Sequence, residues 1–314
     1  MAENLTGGLF KLKFQALGTV CEVQYRTESM EAAKEYRKVA LDWLRDFEEK
    51  WSRFKPESLL CEINAKAGKS RVEISEEDEE ILRLCEYTYG VSEGLNDATS
   101  FPVTALWDDA GKKDCLPGEA EIEAARKLVS WPSVEWGDGK VFLPKRGMAL
   151  EIGGFGKEYA VDRLVGFAKQ FEIRDCLVDL GRDVAAIGEP PHGRSWVLGI
   201  EDAREENAAA YRLAISGKGL ATSGNGRRFR MIGGRKFGHI IDMRSGWPAE
   251  NEVITASCLG DDCLTAGLFS TNACVVGSIE GMEAIERRLG VEAIFQGSSE
   301  TLFSSQIHHY VLRS

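Results

Sequence analysis

Residues 150–162 read Leu-Glu-Ile-Gly-Gly-Phe-Gly-Lys-Glu-Tyr-Ala-Val-Asp, and no other stretch narrows the choice of fold as far. An apolar, strand-like lead-in from Met148 to Ile152 meets two adjacent glycines and then Lys157. Ala160, Leu164 and Ala168 follow at helical spacing, so a strand–turn–helix junction is expected. Adjacent glycines let the backbone approach a ligand closely, and the first turn of a helix offers unpaired N–H donors to an anion. Lys157 falls in that first turn, within reach of a phosphate. A plain structural junction would use the same residues, because glycine-rich turns are common.

The chain has 314 residues, 43% hydrophobic and 28% charged, which suits a globular protein with a sizeable core. Its net charge of −11 argues against nucleic acid as a partner, since counterion release needs a basic surface. The same charge argues against attachment to an anionic membrane. A phosphate-bearing ligand remains compatible where local donors or a metal ion offset the repulsion. Met1 to Gly8 contain no basic run and no long apolar run, so neither a signal peptide nor a membrane span is expected there. The eight cysteines (21, 61, 85, 115, 176, 258, 263 and 274) show no CxxC pairing and read as reduced, buried small hydrophobes. A cytoplasmic location follows, although an exported chain with its signal removed leaves the same pattern.

Alternation over 9–26 predicts a strand or hairpin around Gly18. Tyr36, Ala40, Trp43, Phe47 and Trp51 give 30–51 the clearest helical period, read as core packing in preference to an aromatic binding face. Ser75 followed by Glu76 to Glu80 predicts a capped helix start. Gly94 to Thr99 read as a polar turn and Phe101 to Trp107 as a return to apolar character. One short helix and a hairpin around Gly137 are expected within 108–147. Strands are expected near 175–180, 196–200, 211–216, 238–242 and 252–258, a helix from Asp262, and a last helix over 280–289. Helices and strands mix without a regular βαβ rhythm, which implies α+β architecture. No linker or repeat divides residues 1–314, read as one domain of two interleaved lobes.

Short polar clusters interrupt this apolar frame: Trp51-Ser-Arg-Phe-Lys-Pro-Glu-Ser58 with Asn64, Gly94-Leu-Asn-Asp-Ala-Thr99, and the 151–162 segment. Asp179-Leu-Gly-Arg-Asp183, Ala221-Thr-Ser-Gly224, His239-Ile-Ile-Asp-Met-Arg-Ser-Gly-Trp-Pro248 and Asp261-Asp-Cys-Leu-Thr265 follow. From about Phe14 to Phe269 this ordered series resembles the ApbE family, the FAD:protein FMN transferases. It is similar, in sequence order, to the family's M-G-T, S-R-F-x-P-x-S, G-x-F-D-x-T, D-L-G-G-x-x-K-G, T-S-G, H-I-I-D-P-R-T-G and A-D-A-L-A-T elements. The resemblance implies an ApbE-like α+β fold of two interleaved lobes, with mixed or antiparallel sheets, flanking helices and FAD in a deep cleft. It also implies Mg²⁺-dependent cleavage of the FAD pyrophosphate. FMN is then attached through a phosphoester to a threonine or serine of a client protein, with release of AMP.

The resemblance implies His239 as the catalytic base, since an imidazole titrating near neutrality can take a hydroxyl proton. A structural histidine at a strand end is the alternative, and His308 and His309 have no comparable support. The flavin-binding positions implied are Leu17, Phe54, Leu95, Asn96, Asp97, Glu151, Lys157 and Ile241. Phe54 reads equally well as a core aromatic, and Thr222-Ser223-Gly224 as a tight turn. The metal set implied is Asp262, Thr265 and the backbone of Gly154, a hard-oxygen set suited to magnesium. Asp262 alone reads equally as a helix N-cap.

Several positions depart from the family pattern. Ala266 stands for the family's threonine, with Thr265 one place earlier and turned away by about a hundred degrees. Asn96 replaces phenylalanine, Glu151 aspartate, Glu158 glycine, Arg182 glycine, Gly226 a bulky residue, and Met243-Arg-Ser replaces Pro-Arg-Thr. Arg182 either binds phosphate or occupies part of the pocket. These departures keep three other readings open. They are a non-catalytic FAD-binding protein, an Mg²⁺-dependent FAD pyrophosphatase using water, and a scaffold that binds no flavin.

Overall fold

The computed structural model describes residues 2–5, 8–190, 193, 195–205 and 208–312. The reading of Met1 to Gly8 therefore rests partly on Met1, Thr6 and Gly7, which lie outside the described residues. Among the described residues the helices are α1 (Met30–Trp51), α2 (Leu59–Ala65), α3 (Glu76–Val91), α4 (Phe101–Lys113), α5 (Glu119–Arg126), α6 (Gly156–Gln170), α7 (Cys263–Val276) and α8 (Ser278–Arg287). None is long and apolar enough to cross a membrane. The chain forms two compact units, interleaved along the sequence: Met1–Glu48, Phe155–Ser223 and Glu252–Ser314 make the first, Glu49–Gly154 and Gly224–Asn251 the second.

The first unit is built on a nine-stranded sheet. Its spatial order is Ala2–Leu5, Leu9–Ala16, Thr19–Arg26, Asp175–Leu180, Val184–Ile187, Lys218–Gly224, Val253–Gly260, Glu292–Gly297 and Thr301–Phe303. The hairpin of the second and third strands is antiparallel and turns on Leu17 and Gly18, with φ of 52° and 71°. Two left-handed residues in a two-residue turn match the twist of the strands on either side. Period-two alternation buries Phe10 and Leu12 on one strand and Cys21, Val23 and Tyr25 on the other. Tyr36, Ala40, Leu44 and Phe47 of α1 are buried, and Trp43 stacks on Phe47 at 5.0 Å while meeting Tyr159 and Phe167 of α6 edge-on. The aromatic face of α1 is thus core.

The second unit holds α2 to α5, a three-stranded sheet of Val72–Glu73, Lys140–Phe142 and Glu135–Gly137, and two hairpins. These are Phe229–Ile232 with Arg235–Gly238, and Ile241–Asp242 with Trp247–Pro248. Val103, Trp107 and Ala110 of α4 pack with Ile122, Ile232, Phe237 and Ile241. The Trp107 indole donates to the Gly246 carbonyl at 2.8 Å, which satisfies the only polar group that this buried ring carries. Ser75 caps the start of α3 as expected, and Asp78 completes a capping box with it.

The α+β reading holds, with mixed helices and antiparallel ladders, and several local expectations change. Met148 to Ile152 form no strand; Ala149 makes a single bridge to Ser100. Thr222-Ser223-Gly224 is the end of strand Lys218–Gly224, not a turn, held by hydroxyl pairs Thr222–Ser257 (2.8 Å) and Ser223–Ser270 (2.8 Å). The strand expected over 238–242 is broken at His239 and Ile240. Phe101 to Trp107 begin a helix that runs on to Lys113, and the last helix is Ser278–Arg287. Among the cysteines, Cys115 is exposed and Cys61 half-buried; all eight are free thiols.

Arg182 sits in the turn after Asp175–Leu180 with φ of 79°, following Gly181 at 73°. A Cβ on Gly181 would meet Thr19 at 2.6 Å, so that glycine is required, whereas Arg182 holds a left-handed conformation unaided by its residue type. Its guanidinium is exposed and bonds Glu201 at 2.7 Å. That surface pair contributes little. Arg182→Gly is expected to stabilise the chain by about 1 kcal/mol, read as a higher urea midpoint. A lower midpoint would show that the Glu201 pair outweighs the backbone strain.

Candidate functional site

In the first unit the chemistry gathers at the start of α7. Its first amides are satisfied by two carboxylates: Asp162 of α6 accepts from Cys263 N and Leu264 N, each at 2.8 Å, and Asp262 accepts from Thr265 N at 2.7 Å. Burial pushes the Asp162 carboxyl up to about 7, against the lowering pull of those two amides. Gly219 lets the neighbouring strand press on this helix start, since a Cβ there would lie 2.3 Å from Cys263 N. Asp262 is therefore an N-cap, and it is also exposed. One of its oxygens is committed to the cap, which leaves the other for a cation. Thr265 meets Asp262 through its backbone amide. Ala266 is buried and supplies no oxygen. Among the described residues, no three His, Cys, Asp or Glu side chains cluster to hold a metal. This donor set fits a magnesium ion completed by substrate phosphates and water, and does not make an all-protein cage.

Lys157 lies in the first turn of α6, as its spacing predicts, and its ammonium bonds the buried Asp183. Burial alone would lower the Lys157 pKa, but the charges of Glu158, once that carboxyl ionises, and of Asp183 outweigh it and raise it above the ordinary lysine value. Glu158 is itself buried, with Oε2 lacking a partner. Burial, reinforced by the Asp183 charge, pushes its carboxyl up to about 8. The side chain fits because α7 carries Gly267 opposite it; a Cβ there would meet Glu158 Cγ at 2.6 Å. Leu17 of this unit occupies the left-handed turn, its amide bonded to Glu48 at 3.2 Å.

In the second unit His239 occupies the break between two strands. Its Nδ1 lies 3.0 Å from the Arg228 carbonyl. A carbonyl only accepts, so in the neutral ring Nδ1 carries the proton and Nε2 the lone pair. Asn225 fixes the backbone on both sides of this histidine. Its Oδ1 accepts from Ile240 N at 3.1 Å, its Nδ2 donates to Ala249 O at 3.2 Å, and Gly238 packs so closely that a Cβ would meet Asn225 Cγ at 2.3 Å.

The remaining expected positions divide by role. Phe54 is 79% exposed, with the Arg53 guanidinium 4.8 Å from its ring centre, so it is no core aromatic. Glu151 accepts from Ser100 at 2.9 Å and Thr104 at 2.5 Å, and lies 3.8 Å from Arg53. Asn96 lies against Gly154, where a Cβ would be 3.1 Å from its amide nitrogen. Leu95 is half-buried beside it. Asp97 is buried, and its oxygens are used by Thr99 N (2.7 Å), Thr99 Oγ1 (2.6 Å) and Trp131 N (3.0 Å). Ile241 is part of the α4 core. Sequence reasoning assigned no role to Asp162, Asp183, Asn225 or Asp108, the last of which bridges Arg53 (3.2 Å) and Arg230 (2.6 Å). Asp162 and Asp183 stood inside the polar clusters already singled out; Asn225 directly follows Thr-Ser-Gly.

The ApbE family profile matches residues 17–295. This chain belongs to the ApbE family. The FAD:protein FMN transferase of Klebsiella pneumoniae (strain 342) is 27% identical over 242 residues, covering 76% of this chain and 75% of that protein. That of Haemophilus influenzae is 24% identical, covering 89% and 84%. The crystal structure of the Thermotoga maritima ApbE protein aligns with a TM-score of 0.86 at 23% identity, over 97% of this chain and all (100%) of that one. Vibrio cholerae flavin transferase ApbE gives 0.83 at 20% identity, over 99% and 100%. The ApbE fold is therefore shared at low sequence identity.

Glu158 makes a pH prediction. Unfolded, its carboxyl ionises near the ordinary 4.5; folded, near 8. Between these values the folded chain binds the extra proton, so this group's contribution to stability falls as pH rises across that window and levels off above it. Glu158→Gln, which has no proton to lose, is expected to gain roughly 3 kcal/mol on its parent between pH 5 and pH 8 in denaturant titrations. Identical pH slopes for the two proteins would exclude a neutral buried carboxyl.

Proposed function

We propose that this chain is an FAD:protein FMN transferase. It uses FAD as substrate and transfers FMN to a threonine or serine hydroxyl of a client protein. Family membership over residues 17–295 supports the reaction class. The observation that carries the reading for this chain is His239, whose Nδ1 is committed to a carbonyl so that Nε2 keeps its lone pair. In the step proposed, Nε2 takes the acceptor hydroxyl proton. The oxygen attacks the phosphorus on the FMN side of the pyrophosphate, the bond to the AMP phosphate breaks, and AMP departs. Lys157, held cationic by its acidic neighbours, supplies positive charge for the diphosphate. Asp262 would hold magnesium with Thr265 as a further donor, and that ion would offset phosphate charge. Phe54 offers an exposed ring for stacking. We assign the protein to the cytoplasm and to a single functional domain over 1–314.

The departures do not favour another reading by any specific contact. Arg182 is directed to Glu201, and Glu158 is accommodated by Gly267. His239→Ala is expected to abolish acceptor-dependent AMP release and protein-bound flavin fluorescence while calorimetry still detects FAD binding. Transfer within a few-fold of the parent would remove His239 from the mechanism. Release of AMP and FMN without any acceptor would identify a pyrophosphatase. A yellow but inert protein would identify a binding module.

Asn225→Ala leaves the histidine present but frees its backbone. The expected result is a fall in kcat of about tenfold or more with KM for FAD little changed. A rise in KM alone would assign Asn225 to substrate binding.

A further inference from the structure

The segment from Gly226 to His239 carries Arg227, Arg228, Arg230, Arg235 and Lys236 and no acidic residue, in a chain with a net charge of −11. It folds as the hairpin closed by Gly233 and Gly234, whose φ values of 57° and 74° are those a two-residue turn requires. Register pairs Phe229 with Gly238 and Met231 with Lys236, and Arg230 with Phe237. Cross-strand partners share a face, so Phe229, Met231 and Lys236 stand together on one side. The other side is occupied: Ile232 and Phe237 are buried, Phe237 5.4 Å from Trp107, and Arg230 is bonded to Asp108. Arg235 pairs with Glu250.

The first side faces outward. Phe229 is 42% and Met231 50% exposed, and the Lys236 ammonium lies 4.2 Å over the Phe229 ring. Arg227 and Arg228 are exposed just before the strand. The second strand of the hairpin ends at Gly238, immediately before His239. A cationic, partly apolar face therefore leads directly to the candidate base.

We propose that this face docks an extended acidic segment of the acceptor protein and delivers its threonine or serine to His239. The proposal rests on the transferase reading. Exposed cations on this face of an otherwise negative molecule attract carboxylates, which favours one register of encounter. Phe229 and Met231 supply the apolar contact that charge alone does not. The competing anion is the diphosphate of FAD itself, and the experiment separates the two.

Fluorescein-labelled peptides of equal length, each with one threonine and with acidic, neutral or basic flanks, are titrated into the full chain without FAD. The acidic peptide is expected to bind about tenfold tighter than the neutral one, with the advantage shrinking as salt rises. Arg227→Glu combined with Lys236→Glu is expected to erase that preference while FAD affinity stays within about twofold. The salt series on the unaltered chain keeps the test decisive if the double variant fails to fold. Equal binding of all three peptides, a preference that survives the reversal, or a loss of FAD affinity in its place would each overturn the proposal. Acidic-peptide preference in a chain that transfers no FMN would support the docking face and sink only the transferase reading.

Discussion

The start of α7 depends on one carboxylate borrowed from another helix. Asp162 accepts from two consecutive amides of α7, and Asp262 takes the third. Without Asp162 two donors at a buried helix end would lack partners, a cost of about 1–3 kcal/mol each. The same bonds fix the direction of α7 relative to α6. The exposed position of Asp262 at the N-cap follows from that orientation. So does the close approach of strand Lys218–Gly224, which only Gly219 permits.

Charge is concentrated around the opening of α6 in a way that forces compensation. Glu158 and Asp183 are buried beside the half-buried Lys157, and one cation cannot satisfy two carboxylates. The chain resolves this by keeping Glu158 protonated through burial and by pairing Lys157 with Asp183. Space is resolved separately, by the missing side chain at Gly267. A glutamate in this position is thus accommodated sterically and electrostatically, and it leaves Lys157 its charge.

In the second unit the ring orientation of His239 is set by backbone. The Arg228 carbonyl selects the tautomer, and the Asn225 amide holds the residues on both sides. The strand break at His239 and Ile240 has a purpose in this arrangement. An uninterrupted ladder would commit the backbone N–H of Ile240 to a neighbouring strand, where it is instead given to Asn225.

Much of this was legible in the residues. Period-two alternation located the 9–26 hairpin, aromatic spacing located α1, and Ser75 and Asp262 marked helix starts, because each signal is local and acts within a turn or two of chain. The ordered motifs carried family membership and the positions of His239, Lys157 and Asp262. What they left open was decided by contacts across long separations in sequence. Asp97 and Ile241, read as ligand contacts, also serve the fold, the one in a buried turn and the other in the α4 core. Asp162, Asp183 and Asn225 gain their roles only when α7, Lys157 and the His239 backbone are brought to them. Local propensity can name a helix, a turn or a reactive residue type; only packing decides which hydrogen bonds remain for a ligand after the fold has used its own.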